Sequence, residues 1–376
     1  MPFLHKTKRD KKCMAAMSSN KCRILVVGCG ITGAVTSSLL EQKLGGCSVI
    51  TAWEKAKGIG GRMSTSRSPA NSSCIADVGA QYISPSSKYW KDHKRYIDEL
   101  SSSGILEPLQ ATIEGDRSSR DDVSQHWVAS LGIGSMVKYF FKKADAQVFT
   151  GCELSSLQLE GNAWQATTKD GANETFNAVV LTMPVPQILA VEGISKFVSE
   201  DQDRQLRAVQ YSSRYALALF YDAKVTLDIP WAAKYFYDTP CIRFVSVDNV
   251  KRQAHSSIAP SIVVHTSVPF TMEHVDLSLS EVEPLIMSSL SELLPNLPTP
   301  ASTKCHRWRY SQVHHGVEGS PGCFVLCEDP PLLAGGDAFV HSNLDGCIES
   351  ARSISDALAA VMNAPGAPSC GADNKL

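Results

Sequence analysis

Two glycine-rich turns, one near each end of the chain, carry the residues with the most definite chemistry. In RILVVGCGITGAV an apolar run leads into Gly28, Gly30 and Gly33, with Thr32 among them. Glycines at this spacing permit a tight turn, a close backbone approach to a pyrophosphate, and close packing of the following helix on its strand. Thr32 can add a hydroxyl or backbone donor for the phosphates. The next apolar run, VITAWEK, reaches Glu54, where a carboxylate can accept hydrogen bonds from ribose hydroxyls. In GIGGRMSTS, Gly60 and Gly61 let the backbone pass close to a ligand, and Arg62 supplies a planar fork for phosphate charge that a lysine could not match. DVGAQYIS then offers Gln81 and Tyr82 as a source of backbone and amide donors, with Asp77 holding the turn. The second glycine turn is LLAGGDAFVHSNLDGCIESA. Here Asp337 follows Gly335 and Gly336, and Asp345, Gly346, Cys347 and Ile348 open a helix expected from about Cys347. A helix start aimed at a ligand stabilises negative charge.

A nicotinamide-binding domain needs only the first turn. A chain that folds both turns around one long cofactor is a flavoprotein of the glutathione-reductase or amine-oxidase type, so the cofactor expected is FAD. The surrounding pattern supports this. Residues 23–53 read strand, glycine turn, helix, strand. Tyr89, Trp90, Tyr96, Ile97 and Leu100 fall at helical spacing within 86–100, and EGN and KDG mark hairpins between 147 and 184. Residues 209–269 are strand-rich, and 280–294 read as a helix ended by prolines. The fold class expected is α/β: an FAD-binding Rossmann-like domain of the p-hydroxybenzoate hydroxylase or glutathione-reductase type, interleaved with a mixed α+β substrate domain. The boundaries drawn are a basic, disordered extension at 1–20, a discontinuous cofactor domain at 21–100, 145–190 and 303–362, a substrate domain at 101–144 and 191–302, and a disordered tail at 363–376.

Composition narrows the function classes. A chain of 376 residues with 43% apolar content can bury a sizeable core. A formal charge of −2 lacks the basic footprint of a nucleic-acid binder. The twelve cysteines are scattered without paired spacing, which favours a reducing compartment, and CFVLC reads as a strand rather than a metal knuckle, so no metal site is expected. No apolar run is long enough to cross a membrane. Cleavage of a leader reaching into ILVVG would remove the first strand of the cofactor domain, so residue physics points to the cytoplasm.

With these motifs in hand, the chain resembles the renalases, a family of FAD-dependent oxidases related to the amine oxidases. CGITG, GGRMSTS, DVGAQYIS, VVLTMPVPQIL, YSSRYALALFY, PCIRFVSVDN, KCHRWRYSQV and GGDAFVHSNLDGCI carry the likeness, over about 23–361. The resemblance implies that the substrates are the 2- and 6-dihydro isomers of NAD(P)H. Hydride would pass to a non-covalent FAD, NAD(P)+ would leave, and dioxygen would become hydrogen peroxide. It also suggests secretion, with a cell-surface receptor as partner if the protein is extracellular. Trp308 and His265 are the candidates for lining the ring-stacking cavity, and Arg214 and Arg243 for meeting the dinucleotide's phosphates or carboxamide. Lys304 has no neighbours that force a flavin-facing role, and no cysteine matches a covalent flavin attachment. Three other readings stand beside this one: a monoamine (catecholamine) oxidase, an FAD-containing secreted signalling or binding protein without relevant turnover, and a dehydrogenase using the first turn alone.

Overall fold

The apolar run ahead of the first glycine turn forms the strand Cys22–Val27, whose last four residues are buried. It pairs in parallel with Ser48–Glu54 on one side and Ala178–Leu181 on the other. In the computed structural model, which describes residues 21–117, 125–254 and 258–362, this strand lies inside a six-stranded sheet ordered Cys323–Cys327, Leu332–Gly335, Ala178–Leu181, Cys22–Val27, Ser48–Glu54, Gln147–Thr150. All pairs are parallel except Cys323–Cys327 with Leu332–Gly335. Parallel strands are covered on both faces, which is why these segments read as unbroken apolar runs rather than alternating ones. The helices Ile31–Leu44 and Leu344–Met362 pack against it, joining Leu40, Leu44, Ile354 and Leu358 to Ile24, Val26, Ile50, Val180 and Leu333 in one core. The first helix is buried from Ile31 through Leu40, on every side, and ends on Gly45 in the left-handed region. A three-stranded antiparallel meander, Leu154–Glu160, Ala163–Thr168 and Asn173–Phe176, turns at the two expected hairpins.

These elements belong to one of two compact units, formed by Met1–Gly61, Val137–Gln210 and Val313–Leu376; Arg62–Met136 with Tyr211–Gln312 form the second. The second unit is built on a six-stranded sheet ordered Ser302–His315, Gln210–Phe220, Ser261–Thr266, Ile242–Val247, Ala233–Tyr235, Ile113–Glu114. Its long strand shows the two-residue period of a sheet: Tyr215, Leu217 and Leu219 enter a core with the helix Leu279–Leu293, while Ala216, Ala218 and Phe220 face Cys74, Ala76 and Val78. Residues 62–100 therefore group with this sheet, and 191–210 group with the first unit, where the sequence reading drew both boundaries differently. The reason for the first is the second strand of the ribbon Thr65–Arg67 with Ile75–Asp77, where Ala76 and the flanking Cys74 and Val78 pack on the sheet's second face. The helix expected at 86–100 spans Ser87–Ser102 and that at 280–294 spans Leu279–Leu293. The terminal segments 1–20 and 363–376 lie outside the described residues.

Candidate functional site

The first unit assembles the dinucleotide elements. Gly28 has φ +101°, and a Cβ there would stand 2.9 Å from Thr182 Oγ1 and 3.0 Å from Met183 N. A Cβ on Gly33 would run into the carbonyl oxygen of Gly28. Both glycines are therefore required by the protein's own packing. Gly30 differs: its φ of −85° suits any residue and no protein atom lies within 4 Å of where a Cβ would be, so the protein's own packing does not require glycine there. The following helix has no side-chain cap at Gly30 and no acidic residue in its first turn, where Thr32 is buried. Its leading N–H groups suit an anion. Thr182, just past the strand Ala178–Leu181 and not singled out by any sequence motif, donates to the carbonyl oxygens of Val27 and Gly28 at 3.0 and 2.9 Å and so holds the turn.

Glu54 sits at the end of the next strand, as expected. Its Oε2 accepts from Cys29 N at 3.0 Å and its Oε1 from Ala56 N at 2.9 Å. Burial, with Glu54 and Cys152 nearby, pushes the Cys29 thiol well up, so this cysteine stays neutral. Gly61 lies against Gly30, its would-be Cβ 3.4 Å from the Gly30 Cα, and Gly60 N donates to the Cys29 carbonyl oxygen at 2.8 Å. The two glycine loops thus meet.

At the second turn, a Cβ on Gly335 would collide with Ile354 and Ser350, while Gly336 N donates to Ser350 Oγ at 2.8 Å. Asp337 is buried and accepts from Ser342 Oγ at 2.8 Å. The last helix begins at Leu344, three residues before the expected start, because Asn343 Oδ1 caps it by accepting from Gly346 N at 2.8 Å. Asp345, Gly346, Cys347 and Ile348 are consequently all buried within its first turns. Cys347 N already donates to the Asn343 carbonyl oxygen at 3.1 Å, and Gly346 is needed because a Cβ would strike His341. Gly346 N and Cys347 N are thus both engaged within the helix start.

In the second unit the two ring-cavity candidates, Trp308 and His265, and the two phosphate or carboxamide candidates, Arg214 and Arg243, fall on four neighbouring strands of the sheet, in the order Trp308, Arg214, His265, Arg243. Trp308 Nε1 donates to the Val78 carbonyl oxygen at 2.8 Å and His265 Nε2 shares that acceptor at 3.1 Å, which places the histidine proton on Nε2. Burial holds His265 down to about 4; the Val78 hydrogen bond and Asp248 oppose this and Arg214 and Lys251 add to it, so the ring is neutral at pH 7. It stacks on Phe244, which packs edge-on to Tyr235. Tyr235 and Phe244, then Phe244 and His265, then His265 and Ala216, lie directly opposite each other on neighbouring strands, making a row across one face. Tyr82 OH and Tyr235 OH are 2.7 Å apart, and burial first, then the partner hydroxyl and Asp116, push Tyr82 far up. Arg214 donates to the Thr266 carbonyl oxygen at 3.1 Å and to Gln312 Oε1 at 3.4 Å; burial and the neighbouring Arg243 lower its affinity for a proton. Among the described residues no ion pair joins Arg214 or Arg243 to a carboxylate.

Gln81 departs from its expected role. Its Nε2 donates to the carbonyl oxygens of Asp77 and of Gly79, the latter at 3.0 Å, and its Oε1 accepts from Ser246 Oγ at 2.7 Å and Lys251 Nζ at 3.0 Å. An amide so fully engaged has no donor to offer a ligand. Asp77 holds its turn, as expected, but inside a buried network the sequence concealed. Its Oδ1 accepts from Thr65 Oγ1 at 2.7 Å and Ile133 N at 2.9 Å, and its Oδ2 pairs with Arg252. Asp248 pairs with Lys251 at 2.5 Å and Arg252 at 2.9 Å. Burial raises the Asp248 carboxyl, but Arg252 and Lys251 outweigh that and hold it low. The spacing D-N-V-K-R resembles a solvated helix face, so nothing in the sequence marks it as interior. Arg62 reaches Ser311 O at 3.4 Å, and Lys304 donates to Ser66 Oγ at 3.0 Å.

Comparison with known proteins agrees with these elements. The family model for flavin containing amine oxidoreductase matches residues 93–359, and that for the NAD(P)-binding Rossmann-like domain matches 26–100. Renalase of Mus musculus is 44% identical over 334 residues, covering 88% of this chain and 97% of that protein. Two solved structures share the fold. A protoporphyrinogen-oxidase-like protein of Exiguobacterium sp. 255-15 superposes with TM-score 0.69 at 14% identity, covering 92% of this chain and 99% of that one. The PF1083 protein of Pyrococcus furiosus gives 0.59 at 11% identity, covering 89% and 97%.

Proposed function

We infer the reaction from one premise: the chain belongs to the renalase family, within the flavin-containing amine oxidoreductases, and is an FAD-dependent oxidase. The substrates we assign are the 2- and 6-dihydro isomers of NAD(P)H, oxidised to NAD(P)+ while dioxygen, with one proton from solvent, becomes hydrogen peroxide. FAD, bound non-covalently, supplies the hydride-accepting ring and the route by which the electron pair reaches dioxygen. We assign the first unit to its binding, within the Rossmann-like FAD fold of the glutathione-reductase type. Gly28, Gly30, Thr32 and Gly33 receive the pyrophosphate, Glu54 the adenosine ribose, Gly61 the close approach of the second glycine loop to the phosphates, and Asp337 the ribityl chain, with the helix start at Asp345 to Ile348 toward the pyrimidine edge.

One observation carries the substrate assignment: Arg214 and Arg243 stand together in an aromatic wall with no carboxylate paired to either among the described residues. Two guanidinium groups attract the phosphates of a dinucleotide and repel an ammonium ion. An amine substrate would also need to lose a proton before oxidation, and His265, held down to about 4 by burial, is a poor base for that step. A dihydronicotinamide needs no general base, because aromatisation drives hydride loss; the protein chiefly has to hold and orient the ring. Trp308, Phe244 and Tyr235 offer the flat surfaces for that, and His265 and Trp308 jointly fix the Val78 carbonyl.

Anaerobic mixing of the purified holoprotein tests the reading. A 6-dihydro isomer of NAD should bleach the flavin absorbance within the mixing time of slow turnover, and admitting air should yield one peroxide per NAD+. If dopamine or another amine bleaches it as fast, the assignment is wrong. We keep the cytoplasm as the place of action, because the cysteines among the described residues are free thiols and the first strand is internal to its sheet. Recovery of native disulfide-bonded protein from culture medium would instead favour the secreted alternative.

A further inference from the structure

The sheet of the second unit is interrupted at one arginine. Ile242 pairs with Thr266 and Phe244 with His265, which leaves Arg243 as the extra residue of a β-bulge. A bulge breaks strict alternation and re-aims a side chain, and bulges recur beside binding sites for that reason. Arg243 uses the freedom to lie 4.9 Å from the ring centroid of Tyr237. Arg117, far away in sequence, lies 3.6 Å from the same ring. Neither guanidinium is paired with a carboxylate among the described residues; the acid of this region, Asp116, acts on Tyr82 and Tyr235. Each stacked arginine keeps its in-plane N–H groups for an acceptor, since a ring face engages the guanidinium's own face. Two guanidinium groups held at one tyrosine bring two forks to one place, and a phosphate can accept from a guanidinium in bidentate fashion.

Resting on the oxidase reading above, we propose that Arg117 and Arg243, seated on Tyr237, clamp the pyrophosphate of the substrate and so restrict the enzyme to dinucleotides over dihydronicotinamide mononucleotide or riboside. The bulge aims one fork and the Tyr237 ring carries both, so the specificity resides in the second unit's sheet and in the segment that brings Arg117 to it.

The test uses holoenzyme and two measurements: kcat and KM for a 6-dihydro isomer of NAD and for the corresponding mononucleotide, and calorimetric titration with ADP-ribose, which cannot be oxidised. The wild type should prefer the dinucleotide by about 10-fold or more, through KM. Arg117→Gln and Arg243→Gln should each raise the dinucleotide KM about 10-fold, far more than the mononucleotide KM, and weaken ADP-ribose binding in step. Equal effects on both substrates, or ADP-ribose binding that is unchanged in both variants, would overturn the clamp while leaving the oxidase reading intact. If no isomer is oxidised but ADP-ribose binds and the variants lose it, the oxidase reading fails and the clamp stands.

Discussion

Glu54 and His265 show how far a single side chain's role depends on what its atoms already hold. Both oxygens of Glu54 accept main-chain N–H groups, at 3.0 and 2.9 Å, yet a carboxylate has about four acceptor positions, which leaves room for two ribose hydroxyls. In Glu54→Gln one acceptor becomes a donor facing an N–H or a hydroxyl. FAD affinity should then drop about 10- to 100-fold, read by titrating apoprotein with FAD and following quenching of its fluorescence. His265 makes the opposite case, a group used for its neutrality. It titrates near 6.5 in an unfolded chain and is held down to about 4 in the fold, first by burial. Between those values the unfolded chain binds the extra proton, so the stabilisation is complete above about 6.5 and is lost as the pH falls toward 4. The thermal midpoint should decline over that window, and decline less steeply in His265→Gln, whose amide can still donate to Val78. An unchanged slope in the variant would assign the decline to other groups.

At the scale of the element, the first glycine turn separates packing from binding. Gly28 and Gly33 are required by neighbouring protein atoms, and Gly30 is not. Gly28→Ala would force a side chain onto a φ of +101° against Thr182 and Met183 and should destabilise the apoprotein by about 2–3 kcal/mol in denaturant titrations. Gly30→Ala should leave apoprotein stability within about 0.5 kcal/mol of wild type while sharply weakening FAD binding. A loss of stability in Gly30→Ala, with cofactor affinity intact, would mean that the turn is shaped by the protein alone. The last helix makes a related point: the Asn343 cap and the close approach of Gly346 to His341 set its start at Leu344, and Ser350 ties it to the Gly336 turn.

For the whole molecule, one buried polar constraint on the second unit is the set Asp77, Asp248, Lys251 and Arg252, which ties the segment carrying Val78 to Tyr82 to the strand and helix around 242–251. Its charges balance two against two. Lys251→Met would leave two buried carboxylates sharing the single Arg252 guanidinium and should cost about 3–5 kcal/mol, a large part of a domain's stability, measured by chemical denaturation. If that variant is as stable as wild type, the network contributes little and the segment is held by its apolar contacts with Ala216, Ala218 and Phe220 instead. FAD, binding the folded chain alone, should raise the stability of the wild type by about 2.7 kcal/mol at 100 times its dissociation constant.

What could be read without coordinates were features with short-range causes. The spacing of Gly28, Gly30 and Gly33, the apolar runs on either side, the acid at Glu54 and the Gly335–Asp337 turn all follow from strand, turn and helix geometry over a few residues, and the structure contains each of them. Trp308, Arg214, His265 and Arg243 were also legible as candidates, as charged or aromatic residues in apolar strands, but their meeting was not. Their strands are adjacent only because the sheet order rearranges chain order, and the Arg243 bulge depends on a register that no local pattern encodes. The burial of Lys251 and Arg252 was hidden for a related reason. Side chains four residues apart look the same on a solvated face and in an interior, and only the partners brought by distant segments, Asp77 and Gln81, distinguish the two.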